Sequence, residues 1–513
     1  MLQRETYSTV ATQPEPGTAK SIAIKARRTV EAAERYEPVI GLEVHAQIHT
    51  RSKMFCGCPV VDDKGELEPN AYVCPVCAGM PGTLPVTNQR AVEIAIKTAL
   101  ALGCAIPPLN RFARKSYFYP DLPKGYQISQ FALPLAVDGH LQIAVDGAKK
   151  RVGIQRAHLE EDAGKLHHEG RVTKVDLNRA GVPLLEIVSE PDLRSAREAR
   201  AYGEALREIL IYMGVSSGDM ERGVMRFEAN VSVRPTGSPE IATRREVKNL
   251  NSFRALHDAV EYEIGAQMAI LEEGGRIEQQ TMGWDETAGV TVPQRGKEFA
   301  QDYRYFPEPD IPPVKITRRQ VKALRDQLPE LPQPKRVRLV VQYGLSEYDA
   351  DLLTREQAVA DYFERVVARG VDAKLAANWI TGDLFRIVKR ADQTIGESAL
   401  SAGALVELIR LVETGRVNRS TGRDVLADMF ATGRRAADIV ESRDLTQLSD
   451  ARELGEVVRR VLESNPAQVR EYVEGKTQVL AWLIGRVMRD TRGKADPQLA
   501  RKLLEEELES GRG

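Results

Sequence analysis

Length and composition limit what kind of protein this chain is. Its 513 residues are too many for one hydrophobic core, which predicts about two to four domains. The net charge of −1 excludes a molecule-wide basic field, so any RNA contact must be local. No apolar run reaches the roughly 18 residues of a membrane span, and five cysteines do not form a secreted disulfide framework. We therefore expect a cytoplasmic protein without membrane contact, preceded by a disordered extension at 1–35.

The first ordered segment, 39–49, alternates apolar and polar residues and predicts a half-buried strand. The alternation puts Glu43 and His45 side by side on the polar face. Such a pair is common on a solvated sheet face. A carboxylate beside an imidazole is also a candidate for metal or phosphate chemistry.

The cysteines form two close pairs, Cys56 with Cys58 and Cys74 with Cys77, separated by a fifteen-residue loop. Pairs at both ends of a loop are typical of a structural Zn²⁺ site, in which four thiolates complete a tetrahedron. The alternative is four reduced thiols without a metal. The fifth cysteine, Cys104, lies in an apolar run that predicts a helix over 88–103, and it is interpreted as a core residue.

Segment 111–130 is rich in lysine, arginine and tyrosine, and its two prolines indicate a rigid loop. Lys115 and Lys124, with the tyrosines around them, could line a polar pocket or stack on a base. A surface loop anchored by tyrosines is the alternative.

Three successive carboxylates at 160–162 precede Gly164 and Lys165, after a predicted hairpin that turns at Asp146 and Gly147. Adjacent carboxylates repel one another, which costs free energy unless a cation neutralises them. A solvated turn would explain the same residues. If the strand continues through this row, Glu160 and Glu161 point to opposite faces. Only one of them can then face a given ion.

The next elements are a helix opened by Ser195 with a capping box to Glu198, a strand over 225–234 and a helix over 252–273. The strand carries five polar residues on one face, Glu228 among them. This face resembles the base of a ligand-binding site more than an ordinary solvent-exposed surface. Lys248 and Arg304 add cations beside amides and aromatics.

Strand patterns end near residue 326, and Pro329, Pro332 and Pro334 predict a linker. Short amphipathic helices follow to the C-terminus, as in a helical bundle. A basic cluster near the end, Arg486 to Lys494, suggests one contact with an RNA backbone, although a solvated helix face explains it as well.

Taken together, these segments resemble the GatB family, the B subunits of bacterial tRNA-dependent amidotransferases. The resemblance runs from about residue 36 to the C-terminus, and the last 70 or so residues look like the YqeY-type tail of that family. The stretches that carry it are VIGLEVH at 39–45, YFYPDLPKGYQISQ at 117–130, HLEEDAGK at 158–165, VDLNRAGVPLLEIVSEPD at 175–192, EVKNLNSF at 246–253 and DYRYFPEPD at 302–310.

The resemblance implies an α+β fold: a catalytic cradle at 36–326, with a mixed or antiparallel sheet, flanking helices and a zinc loop at 56–77. An all-α region at 327–440 and a tRNA-binding helical tail at 441–513 would follow. It also implies a carbon–nitrogen ligase that works as a heterotrimer with an amidase-like A subunit and a small C subunit. With ATP and Mg²⁺ it would phosphorylate the side-chain carboxylate of Glu-tRNA(Gln) or Asp-tRNA(Asn), and ammonia from the A subunit would then displace the phosphate.

The resemblance also implies the site residues. Those matched to Mg²⁺ are Glu43, His45, Glu160 or Glu161, and Glu228, where many members have aspartate. Candidates to hold phosphates or the substrate are Lys115, Lys124, Lys165, Lys248 and Arg304. No Walker motif or Ser-Lys amidase signature occurs, so the nucleotide site would be of a non-P-loop type and the ammonia would come from a partner. The rival hypothesis is a non-catalytic tRNA-binding scaffold that docks an amidase.

Overall fold

The computed structural model describes residues 34–61, 67–240, 242–294, 303–445, 451–491 and 493–510. The predicted disordered extension at 1–35 therefore lies almost wholly outside the described residues. The chain divides into two compact units, which meet in sequence between Pro329 and Glu330. No helix within the described ranges is long and apolar enough to cross a membrane.

The first unit is built on an eight-stranded sheet with the strand order β13-β12-β11-β10-β1-β9-β6-β5. Only the β11–β12 pair is parallel, so the predicted mixed sheet is confirmed. Its strands are β1 (Tyr36–Gln47), β5 (Ala136–Val145), β6 (Ala148–Glu161), β9 (Pro183–Ser189), β10 (Met225–Pro235), β11 (Arg245–Leu250), β12 (Thr281–Asp285) and β13 (Val290–Pro293).

Three smaller sheets contain the other strands of this unit within the described residues. A three-stranded sheet has the order β14-β3-β4, and two-stranded sheets pair β15 with β2 and β7 with β8. These strands are β2 (Leu109–Asn110), β3 (Phe112–Ser116), β4 (Tyr126–Gln130), β7 (Lys165–Glu169), β8 (Val172–Asp176), β14 (Phe306–Pro307) and β15 (Val314–Lys315).

One face of the large sheet is covered by two helices, Ala196–Tyr212 and Phe253–Glu272. Phe227 on β10 points to this face, and its ring centroid lies 5.8 Å from that of Phe253. A Cβ at Gly203 would come within 3.1 Å of the Phe227 ring, so a glycine allows the helix to approach the sheet closely. Because side chains alternate along a strand, the polar residues of β1, β9 and β10 point to the opposite face.

The predicted helices of this unit are confirmed, with one difference in capping. Ser195 accepts a hydrogen bond from the Glu198 N–H, as an N-cap does, at 3.2 Å. The Glu198 carboxylate, however, accepts from the N–H of Arg194 at 2.7 Å and not from that of Ser195. The predicted capping box is therefore wrong in its second half. The unit also contains the helices Gln89–Ala101 and Arg318–Arg325.

The second unit is helical throughout its described residues, which confirms the all-α prediction, and it contains two hydrophobic cores. One core lies between Leu339 and Val440, and the other between Leu454 and Leu508. Its helices are Pro332–Tyr343, Glu347–Thr354, Gln357–Val367, Ala373–Asn378, Phe385–Arg390, Ala402–Glu413, Arg419–Thr432, Ala436–Ser442, Ala451–Ser464, Pro466–Val473, Val479–Asp490 and Pro497–Ser510, with a π-helix at Trp379–Leu384.

The proline-rich segment is not the linker that the sequence predicts beyond residue 329. Pro332 is the first residue of helix Pro332–Tyr343, and Pro334 lies in its first turn. A proline is tolerated there because the first N–H groups of a helix have no intrahelical acceptor in any case.

Candidate functional site

The pairing register of four neighbouring strands brings polar side chains into one row. His158 on β6 stands opposite Glu186 on β9, Glu186 stands opposite His45 on β1, and His45 stands opposite Arg226 on β10. Directly opposed residues in an antiparallel sheet have their Cβ atoms about 4.5–5.5 Å apart. The strand pairing alone therefore assembles a row of acids and bases on the face away from the helices.

His45, Glu160 and Glu186 form the first group of possible metal ligands. The Nε2 atom of His45 lies 3.5 Å from Glu160 Oε1 and 3.4 Å from Glu186 Oε2. All three residues are buried, and Ser129 donates a hydrogen bond to Glu160 at 3.2 Å. An imidazole with two carboxylates is a donor set that suits a divalent cation.

The charges in this group are strongly coupled. Burial would lower the pKa of His45, but its hydrogen bond with Glu186 and the negative charges of Glu186 and Glu160 raise it to about 9. Burial would raise the pKa of Glu186, but the charge of His158 and hydrogen bonds from both histidines lower it well below its usual range. A proton on His45 therefore offsets part of the negative charge of Glu160 and Glu186.

Glu43, Glu228 and Glu246 form a second group, with ligand oxygens within 4.8 Å of one another. Glu43 and Glu228 are opposed residues of β1 and β10. The Lys248 ammonium bridges Glu228 at 2.9 Å and Glu246 at 3.2 Å. Burial, together with the charges of Glu186 and Glu228, raises the pKa of Glu43. One lysine among three carboxylates leaves negative charge uncompensated, and an all-oxygen donor set fits Mg²⁺.

Glu161 belongs to neither group, because the strand continues through 160 and turns it to the other side. Its carboxylate forms an ion pair with Lys124 and accepts the backbone N–H of Ile128 at 2.9 Å. The geometry thus separates the two adjacent glutamates, as the alternation predicts. Lys124 forms its ion pair with Glu161 in this structure and not with either metal-ligand group.

Lys115 lies on β3 of the three-stranded sheet, and its ammonium is close to two tyrosine rings. Its ammonium is 4.9 Å from the Tyr303 ring centroid and 5.9 Å from that of Tyr117. Burial would lower its pKa, but the charge of Glu160 is the largest of the effects that raise it. Lys115 is therefore a half-buried cation that faces the first group. Of the other two predicted cations, Lys165 lies on β7, and Arg304 lies between Tyr303 and Tyr305, just before β14, with a φ of 44°.

An ion-pair network centred on the buried carboxylate of Asp162 contacts one end of this row of side chains. Asp162 accepts hydrogen bonds from Arg226 at 3.1 Å and from Gln47 at 2.8 Å, and Arg179 lies 3.7 Å away. Burial would raise the pKa of Asp162, but Arg226 and Arg179 lower it. This carboxylate is therefore an internal counterion that fixes Arg226 beside His45.

The four cysteines of the loop have the geometry of a tetrahedral site. Their sulfur atoms all lie within 4.8 Å of one another, and Cys77 is 3.8 Å from Cys74 and 3.9 Å from Cys58. Zn–S bonds of about 2.3 Å in a tetrahedron place sulfurs about 3.8 Å apart, so the cluster fits Zn²⁺. A hydrogen bond from Cys56 is the largest influence on the Cys77 thiol, whose pKa falls to about 4.

Sequence reasoning did not select two members of these groups, Glu186 and Glu246. Glu186 is a single carboxylate in the apolar strand Pro183–Ser189, and a buried strand rarely carries a charge without a partner. The isolation of Glu186 among apolar residues is therefore the sequence signal that marks it as a candidate site residue. Glu246 shares the outward face of its strand with Lys248, but its partners across the sheet follow only from long-range strand pairing.

Two family models match the chain, and together they cover most of it. The GatB/GatE catalytic domain matches residues 38–322, and the GatB domain matches 361–508. The chain belongs to the GatB family. The second match begins well before the tail that the sequence separates at 441, so it includes most of the first helical core and all of the second.

Curated relatives agree over nearly their whole length. The chain is 53% identical to the B subunit of the aspartyl/glutamyl-tRNA(Asn/Gln) amidotransferase of Moorella thermoacetica, over 92% of this chain and 100% of the relative. It is 49% identical to the protein of the same name from Caldanaerobacter subterraneus subsp. tengcongensis, covering 92% and 99%. For that of Thermodesulfovibrio yellowstonii the identity is 48%, covering 92% and 98%.

Proposed function

We propose that this chain is the B subunit of a tRNA-dependent amidotransferase, a carbon–nitrogen ligase that takes its nitrogen from glutamine. It activates the side-chain carboxylate of Glu-tRNA(Gln), Asp-tRNA(Asn) or both with ATP, and the activated group is then converted to the amide. The observation that carries this proposal is the pair of adjacent ligand groups on one sheet face. They are joined by Glu43 and His45, two residues apart on one strand.

The chemistry explains why such a face is needed. Oxide is too poor a leaving group for ammonia to displace from a carboxylate. Transfer of the γ-phosphoryl group of ATP to a carboxylate oxygen gives an acyl phosphate and ADP. The ammonia nitrogen then forms a bond to the carbonyl carbon, the C–O bond to phosphate breaks, and the lost proton leaves with solvent. Phosphoryl transfer depends on positioning and charge neutralisation more than on a covalent group of the protein.

The residues divide this work between them. His45, Glu160 and Glu186 would hold one divalent cation, and Glu43, Glu228 and Glu246 would hold another. When bound, such cations neutralise the charge of phosphate oxygens. Lys115, caged by tyrosines and facing Glu160, would contact a phosphate or the substrate carboxylate. Lys248 would exchange its carboxylate partners for a phosphate as a cation arrives.

Ammonia and specificity come from partners under this proposal. The sequence has no amidase signature, so an amidase-like A subunit would supply ammonia and a small C subunit would complete the heterotrimer. The helical unit would bind tRNA. The four cysteines would hold a structural Zn²⁺, which leaves no open position for catalysis and therefore stabilises the loop only.

The test is ATP cleavage that depends on Glu-tRNA(Gln), measured with the A and C subunits present. Glu186→Gln and Glu43→Gln each remove one ligand charge and keep the side-chain shape. We expect each to lower the cleavage rate by at least about 100-fold, a loss of roughly 3 kcal/mol in transition-state stabilisation. Binding of tRNA should be unchanged in both variants.

The matched control is Glu37→Gln. Glu37 lies on the same strand and face as Glu43, but its carboxylate pairs with Arg234 at 2.7 Å, away from both groups. Its rate should stay within about twofold of wild type. If Glu186→Gln and Glu43→Gln cleave ATP as the control does, the enzyme proposal fails and the non-catalytic scaffold is favoured.

A further inference from the structure

Lys53 is a fully buried lysine beside the four cysteines, with a relative exposure of 0%. Lysine is rarely buried completely unless its ammonium finds partners. Its Nζ atom has three acceptors: the carbonyl oxygens of Tyr72 at 3.0 Å and Leu177 at 3.2 Å, and Cys77 Sγ at 3.7 Å. An ammonium has three N–H donors, so these contacts use its full capacity. Of the three acceptors, only Cys77 can carry a negative charge.

The cysteine cluster needs such a cation. Four thiolates around one Zn²⁺ carry a net charge of −2, and burying a charge is costly unless it is paired. Cys77 is the most buried of the four, at 6% exposure. It also receives the backbone N–H of Cys74 at 3.2 Å. Lys53 and this N–H approach the same sulfur, which concentrates positive charge where solvent cannot reach.

Lys53 also connects the cysteine loop to the catalytic sheet. Leu177 lies in the segment 177–181 against which the loop packs, since the Tyr72 N–H bonds to Asn178 Oδ1 at 2.9 Å. From the same segment Arg179 donates to the carbonyl oxygens of Ala163 and Gly164 at 2.9 and 2.7 Å. These residues directly follow the carboxylate row 160–162.

We propose that Lys53 is a positioning residue of the zinc centre. Its ammonium offsets the charge of the thiolates through Cys77 and holds the loop against segment 177–181. The inference rests on the zinc binding proposed for the four cysteines. Loss of an outer-shell partner typically costs 10–100-fold in metal affinity.

The experiment measures zinc release from the purified full-length chain challenged with an excess of a coloured chelator. Lys53→Met removes the charge and the donors, Lys53→Gln keeps N–H donors without the charge, and Lys53→Arg keeps the charge. We expect release to be about 10–100-fold faster for Lys53→Met and Lys53→Gln, with Lys53→Arg restoring at least part of the difference. Lys149→Met, at an exposed position of β6, controls for the loss of one positive charge.

Two outcomes overturn the inference in distinguishable ways. If wild-type protein carries no zinc, the zinc proposal itself fails. If wild-type protein carries zinc and Lys53→Gln releases it at the wild-type rate, the charge-offset role of Lys53 fails while zinc binding stands. A purely structural lysine would lower the melting temperature of Lys53→Met without changing zinc release from the folded protein. The Lys53→Gln arm decides the question if Lys53→Met does not fold.

Discussion

At the scale of single residues, the site contrasts two ways of neutralising buried carboxylates. In the first group His45 holds a proton, and in the second Lys248 holds a permanent charge between Glu228 and Glu246. A proton can leave when a metal arrives, whereas an ammonium must move aside. Cation binding should therefore depend on pH mainly through His45.

The pKa of about 9 for His45 gives a signed prediction. A ligating imidazole must be neutral, so a divalent cation that binds near neutral pH displaces about one proton. Affinity at this group should fall by about tenfold per pH unit below pH 9. Calorimetric titration with Mn²⁺ in buffers of different ionisation enthalpy counts the released protons.

The matched control for proton release is His140→Gln, at an exposed histidine of β5. It should leave the count unchanged, while His45→Gln should abolish it. Heats of binding that do not depend on the buffer in the wild-type protein would contradict the prediction.

Asp162 gives a second residue-scale prediction, this time for stability. Its pKa is lower in the folded protein, so its stabilising contribution is present above its ordinary pKa and is lost as the pH falls through the lowered value. Asp162→Asn leaves the half-buried Arg226 without its hydrogen-bonded counterion, and we expect a loss of about 3 kcal/mol. Thermal unfolding of both proteins from about pH 8 to pH 4 measures it.

The loss should be constant from about pH 8 to pH 5 and shrink only in stronger acid. Asp138→Asn, at an exposed position of β5, is the control and should change the melting temperature little. A loss that grows toward acid pH would mean that the sign of the pKa shift is wrong.

At the scale of elements, the helical unit carries an unusual basic pocket at its π-helix, Trp379–Leu384. Arg386, Arg419 and Arg423 all contact the buried carboxylate of Asp383, and the Arg419 guanidinium lies 3.4 Å from the Trp379 ring centroid. Three guanidinium groups around one carboxylate leave net positive charge, and π-helical turns are frequent at functional sites.

The basic cluster that the sequence indicates near the C-terminus is less available to an RNA backbone than the arginines at the π-helix. Arg486 lies 3.6 Å from Asp490, and Lys494 pairs with Asp444. Arg492 lies outside the described residues. An RNA contact by this cluster stays a prediction, and the arginines near the π-helix are the stronger candidates because one carboxylate serves all three.

We therefore expect Arg386→Gln with Arg423→Gln to weaken binding of tRNA. Both side chains are about half exposed, so the pocket should survive their replacement. Each lost phosphate contact reduces the slope of log affinity against log salt by about one. Filter binding of tRNA across a salt series should give a slope smaller by about two.

The charge-matched control is Arg254→Gln with Arg355→Gln, at two exposed arginines that each pair with an aspartate four residues away in the chain. An equal change of slope in the control would show that only overall charge matters. An unchanged slope in the π-helix variant would exclude this pocket as a phosphate contact.

Helices and strands were predictable from the sequence where a local pattern determines them. The side chains that meet across neighbouring strands were not. Alternation alone placed Glu43 with His45 on one face and separated Glu160 from Glu161, and both are confirmed by the strand geometry. Glu186 was not selected because its neighbours lie on strands far away in sequence. Strand order is a long-range property that no local period encodes.

At the scale of the whole molecule, the two units have separate cores, and the cysteine loop belongs wholly to the first. Metal binding stabilises only the state that holds the metal. We expect calorimetry to resolve more than one unfolding transition. Removal of zinc by a chelator should lower the midpoint of one transition by several degrees and leave the transition of the helical unit unchanged.

The control for this experiment is Cys104→Ala, which changes a buried cysteine outside the cluster. Its zinc-dependent shift should equal that of wild type, whereas Cys77→Ala should abolish the shift. A chelator effect that is equal on every transition would contradict independent stabilisation.

The irregularity between Ile154 and Arg156 in the pairing of β6 with β9 has a consequence for how this protein can change over evolution. Two steps on β6, from Ile154 to Arg156, match one step on β9 there, so removing one residue would restore regular pairing and leave Glu160 and Glu161 on their present sides. The tip of the β5–β6 hairpin at Gly147 lies before this irregularity and should accept added residues. A change of length in β6 is thus tolerated before Arg156, whereas a one-residue shift of 156–161 against β9 would exchange the sides of Glu160 and Glu161.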